Sequence, residues 1–239
     1  IMERIYQIRK FFLNALTLLV PALAAYVMTW LGWILGSNGW GRNAQGNWAA
    51  SLWSYHVNAF TFHTGLDSDH PYEANAFEWL INLRPTAFFF EKYEDAENCG
   101  LLDKCTVALT AIPNLVIWLG GLFALIWIIA RSFRSFEPRS FAIFAGFLGG
   151  WLPWVFFLER TTFQFYAVVY APFLVLALSY GLHHYWRFGI ARSNSSRSGV
   201  IAVVIIATVI FALYFVSIWM ALPVPNYFWR MQMLLPFWI

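Results

Sequence analysis

SNGWGRNAQGNWAASLWSYHVNAFTFHTGLDSDHPYEANAFEWLINLRPTAFFFEKYEDAENCGLLDKCT, residues 37–106, is a polar, tryptophan-bearing stretch set between segments apolar enough to be membrane helices. It carries Asp67, Asp69, Glu73, Glu78, Glu91, Glu94, Asp95, Glu97 and Asp103 against Arg42, Arg84, Lys92 and Lys104, a net charge of −5. Residues 70–85 alone gather His70, Pro71, Tyr72, Glu73, Trp79, Arg84 and Pro85. Ionisable groups are costly in lipid and cheap at its boundary. A membrane protein whose spans are nearly featureless keeps its chemistry in such a loop.

The rest of the composition agrees. With 60% hydrophobic and 11% charged residues, the chain falls outside the soluble globular class, where about 25% are charged. Aromatic residues make up 21%, with 14 Trp, which places rings at membrane interfaces or around a cavity. The net charge of +3 is small and forms no basic stripe, so a nucleic-acid partner is excluded. The first apolar run is too long for a cleavable signal peptide and lacks a small-residue cleavage site. The opening Ile1 suggests a fragment of a longer polypeptide.

About 20 apolar residues cross a bilayer as a helix. Five stretches qualify: 11–36, 107–130, 141–158, 163–182 and 200–220. Pro21 and Pro172 are expected to kink the first and fourth. The third is short and holds Gly149, Gly150, Trp151 and Pro153, so an irregular end is expected there. Arg4, Arg9 and Lys10 precede the first span, Arg131, Arg134 and Arg139 follow the second, and Arg187, Arg192 and Arg197 follow the fourth. Basic residues mark the cytoplasmic side. The long loop 37–106, the Glu159-Arg160 turn and the tail 221–239 then face outward. The expected fold is therefore an all-α integral membrane protein, one membrane domain over 1–239 with about five transmembrane helices and interfacial helices in a large extracytoplasmic loop. SNSSRSG (193–199) reads as a cytoplasmic linker.

Within the loop, residues 48–62 space their apolar and aromatic side chains as an amphipathic helix lying in the interface, or lining a channel for a lipid donor. His70-Pro71-Tyr72-Glu73 cannot begin as regular helix, because a residue before proline avoids helical backbone. Helix can start near Tyr72 and end at Arg84-Pro85. His, Tyr, Glu and Arg so close together suit a site as well as they suit structural roles. Arg160 is the cation of the short outward turn between the third and fourth spans, and it either snorkels to head groups or binds a phosphate through its planar fork. Tyr166 and Tyr170 follow at helical spacing and would add hydroxyl donors. Cys99 and Cys105 on the outward side read as one local disulfide. A metal role is disfavoured because no His flanks them and a zinc site needs about four ligands.

HPYEANAFEWLINLRPTAFFF (70–90), WLPWVFFLERTTFQFYAVVYAPF (151–173) and the Cys pair together resemble the C-terminal half of bacterial, actinobacterial-type protein O-mannosyltransferases. These enzymes are multi-span glycosyltransferases of the GT-C class. The resemblance implies transfer of mannose from polyprenyl-phosphate-mannose to Ser or Thr hydroxyls of exported proteins, with inversion, on the extracytoplasmic face of a bacterial plasma membrane. It implies no resident cofactor, and as partners the polyprenyl phosphate lipid, secreted polypeptides, the bilayer and the N-terminal half of the same protein. It places the donor phosphate on Arg160, with Tyr166 and Arg84 behind it, and the sugar or acceptor pocket on His70, Tyr72 and Glu73. The catalytic base of the family is an acidic residue, usually of an Asp-Glu pair, in the first outward loop. Nothing in this chain matches that pair, so the base is unassigned and neither Asp67 nor Asp69 takes its place. The rival readings are another polyprenyl-phosphate-sugar transferase and a non-catalytic membrane subunit. A transporter is disfavoured, because the spans hold almost no ionisable residues.

Overall fold

The computed structural model describes residues 2–132, 137–188 and 194–238, so Arg134 and Arg192 of the basic clusters lie outside the described residues. The chain divides into two compact units, Ile1–Gly65 and Leu66–Ile239.

In the first unit, α1 (Met2–Thr29) runs through Pro21 as one helix. α2 (Leu31–Leu35) and α3 (Trp48–Thr64) follow, the last where the sequence places an interfacial helix. Arg42 closes α2: its Nε donates to the carbonyls of Trp33 and Ile34, each at 3.1 Å, and its Nη2 to Ile34 O at 2.6 Å. Such C-terminal carbonyls have no partner within the helix itself. Asn47 caps α3 by accepting from Ala50 N at 2.9 Å. The rings of Tyr26, Trp30, Tyr55 and His56 then join α1 to α3.

The second unit begins with α4 (Ala76–Leu80), started by a capping box. Asn75 Oδ1 accepts from Phe77 N and Glu78 N, and Glu78 Oε2 accepts from Asn75 N at 2.7 Å. An antiparallel hairpin comes next, β1 (Ala87–Tyr93) and β2 (Cys105–Thr110), with α5 (Ala96–Cys99) in its connection. The chain is mostly helical as expected, and this hairpin is the departure from all-α. Residues 107–110, expected to open the second span, are strand because β-branched Thr106, Val107 and Thr110 favour the extended backbone and Pro113 stops it. Cys99 in the connection and Cys105 at the start of β2 are disulfide-bonded, Cα to Cα 5.5 Å.

Four helices follow: α6 (Leu115–Ser132), α7 (Pro138–Trp151), α8 (Ala171–Phe188) and α9 (Asn194–Trp219). α10 (Asn226–Gln232) lies in the tail. The SNSSRSG linker is corrected, since residues 194–199 form the first turns of α9. There Arg197 Nη1 donates to the carbonyls of Trp186 and Arg187 at the end of α8, at 3.2 and 3.3 Å. The expected irregular end of the third span is a 3-10 turn, Leu152–Phe156. Gln164–Val169 is also 3-10, and Pro172 sits in the first turn of α8, where its missing N–H costs nothing, instead of kinking a longer helix.

α6 packs most closely along α8. Glycine makes this possible: a Cβ on Gly121 would stand 2.6 Å from Leu174 O. Trp118, Leu125, Ile128, Phe147, Tyr170 and Leu174 form the core between α6, α7 and α8. Among the described residues, three helices are long and apolar enough to cross a membrane: Phe12–Thr29, Leu115–Ser132 and Ser196–Trp219. α7 is shorter, and the second half of α8 carries Tyr180, His183, His184 and Arg187.

Two predictions follow from this packing. Gly121→Ala is expected to destabilise the detergent-solubilised protein by about 1–3 kcal/mol through overpacking, while Gly149→Ala, inside α7 with nothing within 4 Å of its Cβ, holds or raises the melting midpoint. Equal midpoints for the two variants would contradict the close α6–α8 approach. Alkylation of non-reduced, unfolded protein is expected to find no free thiol, and Cys99→Ser with Cys105→Ser to cost about 2 kcal/mol. Two alkylated cysteines would refute the pairing.

Candidate functional site

The site is built around residues 66–80, a segment with little regular structure that must find partners for its backbone. It finds them on residues 161–164. Thr161 N donates to Leu66 O at 3.1 Å, and Thr161 Oγ1 both accepts from Ser68 N at 2.8 Å and bonds Ser68 O at 2.7 Å. Ala74 N donates to Thr162 O at 2.9 Å, and Thr162 Oγ1 returns a bond to Ala74 O at 2.7 Å. Glu73 and Phe163 form a single antiparallel bridge. The two stretches are thus zipped together just after Arg160.

Three indoles hold α4 behind this zipper. Trp79 is fully buried and its Nε1 donates to Ala74 O at 2.7 Å. Trp118 Nε1 on α6 donates to Leu80 O at 2.9 Å, and Trp151 Nε1 at the end of α7 to Ala76 O at 2.8 Å. Gln164 Nε2 adds a bond to Trp79 O at 3.3 Å. Trp79 in turn meets Trp154 and Tyr166 edge-on, with centroids 5.7 and 6.0 Å away.

Arg160 rests on those same two rings. Its Cζ lies 5.3 Å from the Trp154 centroid and 5.7 Å from that of Tyr166. The backbone brings it there by two successive tight turns, Phe157 N to Trp154 O and Arg160 N to Phe157 O. Arg160 also opens on a polar cavity of about 370 Å³, shared with Asp67, Asp69, Glu73, Glu78, Glu159 and Thr162. The arrangement is one guanidinium flanked by two aromatic faces and by five carboxylates. Among the described residues, no group of His, Cys, Asp or Glu is arranged to hold a metal ion.

Of the residues singled out from sequence, Arg160 and Tyr166 come together, and Glu73 joins Arg160 at the cavity. His70 packs edge-on against Phe163 at 5.0 Å, while its Nδ1 accepts from Tyr72 N at 3.1 Å and so shapes the turn. Arg84 is committed elsewhere: its Nε donates to Pro71 O and its Nη1 to Phe237 O, both at 2.7 Å, and it lies over the Tyr72 ring. Tyr170 does not join the cavity. The 3-10 winding of residues 164–169 breaks the helical spacing, and Tyr170 is fully buried against Trp118 and Phe147. Sequence reading missed Trp154 as the shelf for Arg160, and Thr161-Thr162 as the zipper. The second had a signal, since two β-branched hydroxyl residues after a turn suit an extended, backbone-bonding segment.

Residues 48–238 match the family model described as the C-terminal four TMM region of protein-O-mannosyltransferase. The chain is 28% identical over 239 residues to the polyprenol-phosphate-mannose–protein mannosyltransferase of Mycobacterium tuberculosis, covering 92% of this chain and 45% of the relative. Identity to the protein of the same name from Mycolicibacterium smegmatis is 28% over 194 residues, 79% of this chain and 37% of the relative. For Corynebacterium glutamicum it is 23% over 241 residues, 92% and 45%. The chain thus spans less than half the length of these relatives. Among solved structures, the Saccharomyces cerevisiae protein O-mannosyltransferase Pmt1-Pmt2 complex bound to the sugar donor superposes with a TM-score of 0.62 at 18% identity, over 81% of this chain and 27% of that one, a likeness of fold. With the match running from α3 to the end of the tail, this chain belongs to the protein O-mannosyltransferase family, within its C-terminal membrane region.

Proposed function

We propose that this chain carries the donor side of a membrane mannosyltransferase, which moves mannose from polyprenyl-phosphate-mannose to Ser or Thr hydroxyls of exported proteins. The observation that carries the reading is the seating of Arg160 over the adjoining rings of Trp154 and Tyr166, at a cavity that Glu73 also lines. In the reaction the acceptor oxygen attacks the sugar's anomeric carbon and the bond from that carbon to the phosphate oxygen breaks. Negative charge grows on the departing phosphate. A guanidinium held against aromatic faces, where water is partly excluded, stabilises that charge more than a solvated one would. Its fork can donate two parallel bonds to one phosphate. The Tyr166 hydroxyl is a second donor, and His70, Tyr72 and Glu73 shape the sugar or acceptor pocket. Arg84, tied to two carbonyls, positions the turn instead of binding phosphate.

The carboxylates of Asp67, Asp69 and Glu159 line the same cavity and would repel an anion beside them, so a phosphate there has to be held by the guanidinium itself. The base that accepts the hydroxyl proton belongs to the upstream half that the longer relatives possess. In this reading the chain crosses a bacterial plasma membrane five times, N-terminus inside, with the cavity on the extracytoplasmic face. The lipid phosphate, the secreted acceptor and the upstream half of the same protein are its partners.

The test is mannose transfer to a Ser/Thr peptide by the complete enzyme in membranes, at matched expression. Arg160→Ala is expected to lose about 2–4 kcal/mol of transition-state stabilisation, roughly thirty-fold to nearly a thousand-fold in rate. Arg160→Lys recovers part of it, because an ammonium lacks the fork. Wild-type turnover and donor affinity in Arg160→Ala would show that this residue only meets head groups. Asp67→Asn and Asp69→Asn are expected to tighten donor binding about two-fold by relieving repulsion. A collapse of turnover in either would instead place the base within this chain.

A further inference from the structure

The hairpin offers an unpaired strand edge whose geometry can be worked out from its other side. Thr106 on β2 exchanges both backbone bonds with Val224 of the tail, Thr106 N to Val224 O at 2.8 Å and Val224 N to Thr106 O at 3.1 Å. Its backbone groups therefore point away from β1. In an antiparallel ladder, opposed residues alternate between bonded and non-bonded pairs. Lys92, opposite Thr106, is thus a non-bonded pair, and so is Phe90, opposite Ala108. The N–H and C=O of Phe90 and Lys92 point outward, and among the described residues no backbone group takes them up. Residues 88–92 are all exposed.

An edge like this is normally blunted by charge, proline or a covering element. Here Glu91 and Lys92 charge only its second half, and the first carries Phe88, Phe89 and Phe90, with exposures of 54%, 41% and 45%. A register shift between Ala87 and Phe89 puts Ala87, Phe90 and Lys92 on one face, above a cavity of about 270 Å³. Tyr72, Trp229, Trp238 and Arg230 complete its walls. The strand also leads to Arg160: Phe88 meets Phe165 at 5.4 Å, Phe165 meets Tyr166 at 4.8 Å, and Tyr166 lies under Arg160. The same turn serves both places, since Tyr72 lines this cavity and Glu73 the one at Arg160.

We infer that the acceptor polypeptide docks as an added strand on the free edge of β1, hung from the backbone of Phe90 and Lys92, with its hydroxyl carried toward Arg160. Outward N–H and C=O groups at every second residue are the chemistry that recognises an extended main chain whatever its sequence, which suits an enzyme acting on many proteins. The acceptor residues opposite Phe90 and Lys92 hang their side chains over the cavity, where Lys92 and Arg230 exclude basic ones. The inference rests on the acceptor being a polypeptide, as proposed above.

The experiment uses the complete transferase in nanodiscs without donor, with binding of a short fluorescent Ser/Thr-rich peptide read by anisotropy. Competing peptides carry one N-methyl group at each position in turn. A periodic loss of affinity, about tenfold at every second position and little between, is the expected result. Lysine at the positions over the cavity weakens binding, and glutamate there does not. Phe90→Pro removes one outward N–H without touching the ladder to β2. It should weaken binding further than Phe90→Ala, while formation of the Cys99–Cys105 disulfide reports that the hairpin is intact. A uniform or absent N-methyl effect overturns the docking, as does a photo-crosslinker at Lys92 that captures only another part of the same polypeptide. Mannose transfer is measured separately: a wild-type protein that binds the peptide periodically but transfers nothing sinks the functional reading and leaves the docking standing.

Discussion

The buried indole of Trp79 is the constraint on which the second unit depends. A short helix of five residues cannot hold itself in place. α4 is held because Trp79, Trp118 and Trp151 each donate an indole N–H to a carbonyl of the segment 74–80. An indole with an unpaired N–H in such a place would cost about 1–3 kcal/mol, so each ring fixes both a packing position and a bond direction. The donors come from α4 itself, from α6 and from the end of α7. The loop is thereby keyed to α6 and α7.

That keying explains how a chain with few charges assembles a charged site. Trp79 supports Trp154 and Tyr166 edge-on, and the same two rings carry Arg160. Thr161 and Thr162 fasten the His70–Glu73 turn beside it. Each layer uses the previous one as its platform: core indole, aromatic shelf, guanidinium, cavity. The acidic rim then sets where an anion can sit. Removing the shelf would leave Arg160 a surface cation of the kind that contributes little.

Much of this was legible in the sequence, and the limits have physical reasons. Long apolar runs declare membrane helices by length alone, so α1, α6 and α9 stand where hydropathy puts them. The boundaries moved where local chemistry competes with hydropathy. Residues 105–110 are apolar enough for a span but β-branched enough for a strand, and pairing with 87–93 decided the matter. Pro172 reads equally as a kink or as a helix start, and only the turn of residues 164–169 before it decides. Arg160 and Tyr166 were found as a pair because the spacing is short. The partners of Arg84 were not, because Phe237 is 153 residues away and offers only a carbonyl, which has no signature in sequence. Trp154 was one of many aromatic residues, and nothing about it singles out a cation's shelf.

The account places donor chemistry and acceptor docking on two sides of one turn, with Tyr72 facing one cavity and Glu73 the other. Its central claim is the position of the donor phosphate. The most direct measurement is a structure of the complete transferase with a non-hydrolysable polyprenyl-phosphate-mannose analogue bound. The account predicts phosphate oxygens within about 3 Å of the Arg160 guanidinium. A phosphate seated instead on Arg84, or on Lys92 and Arg230, would contradict it.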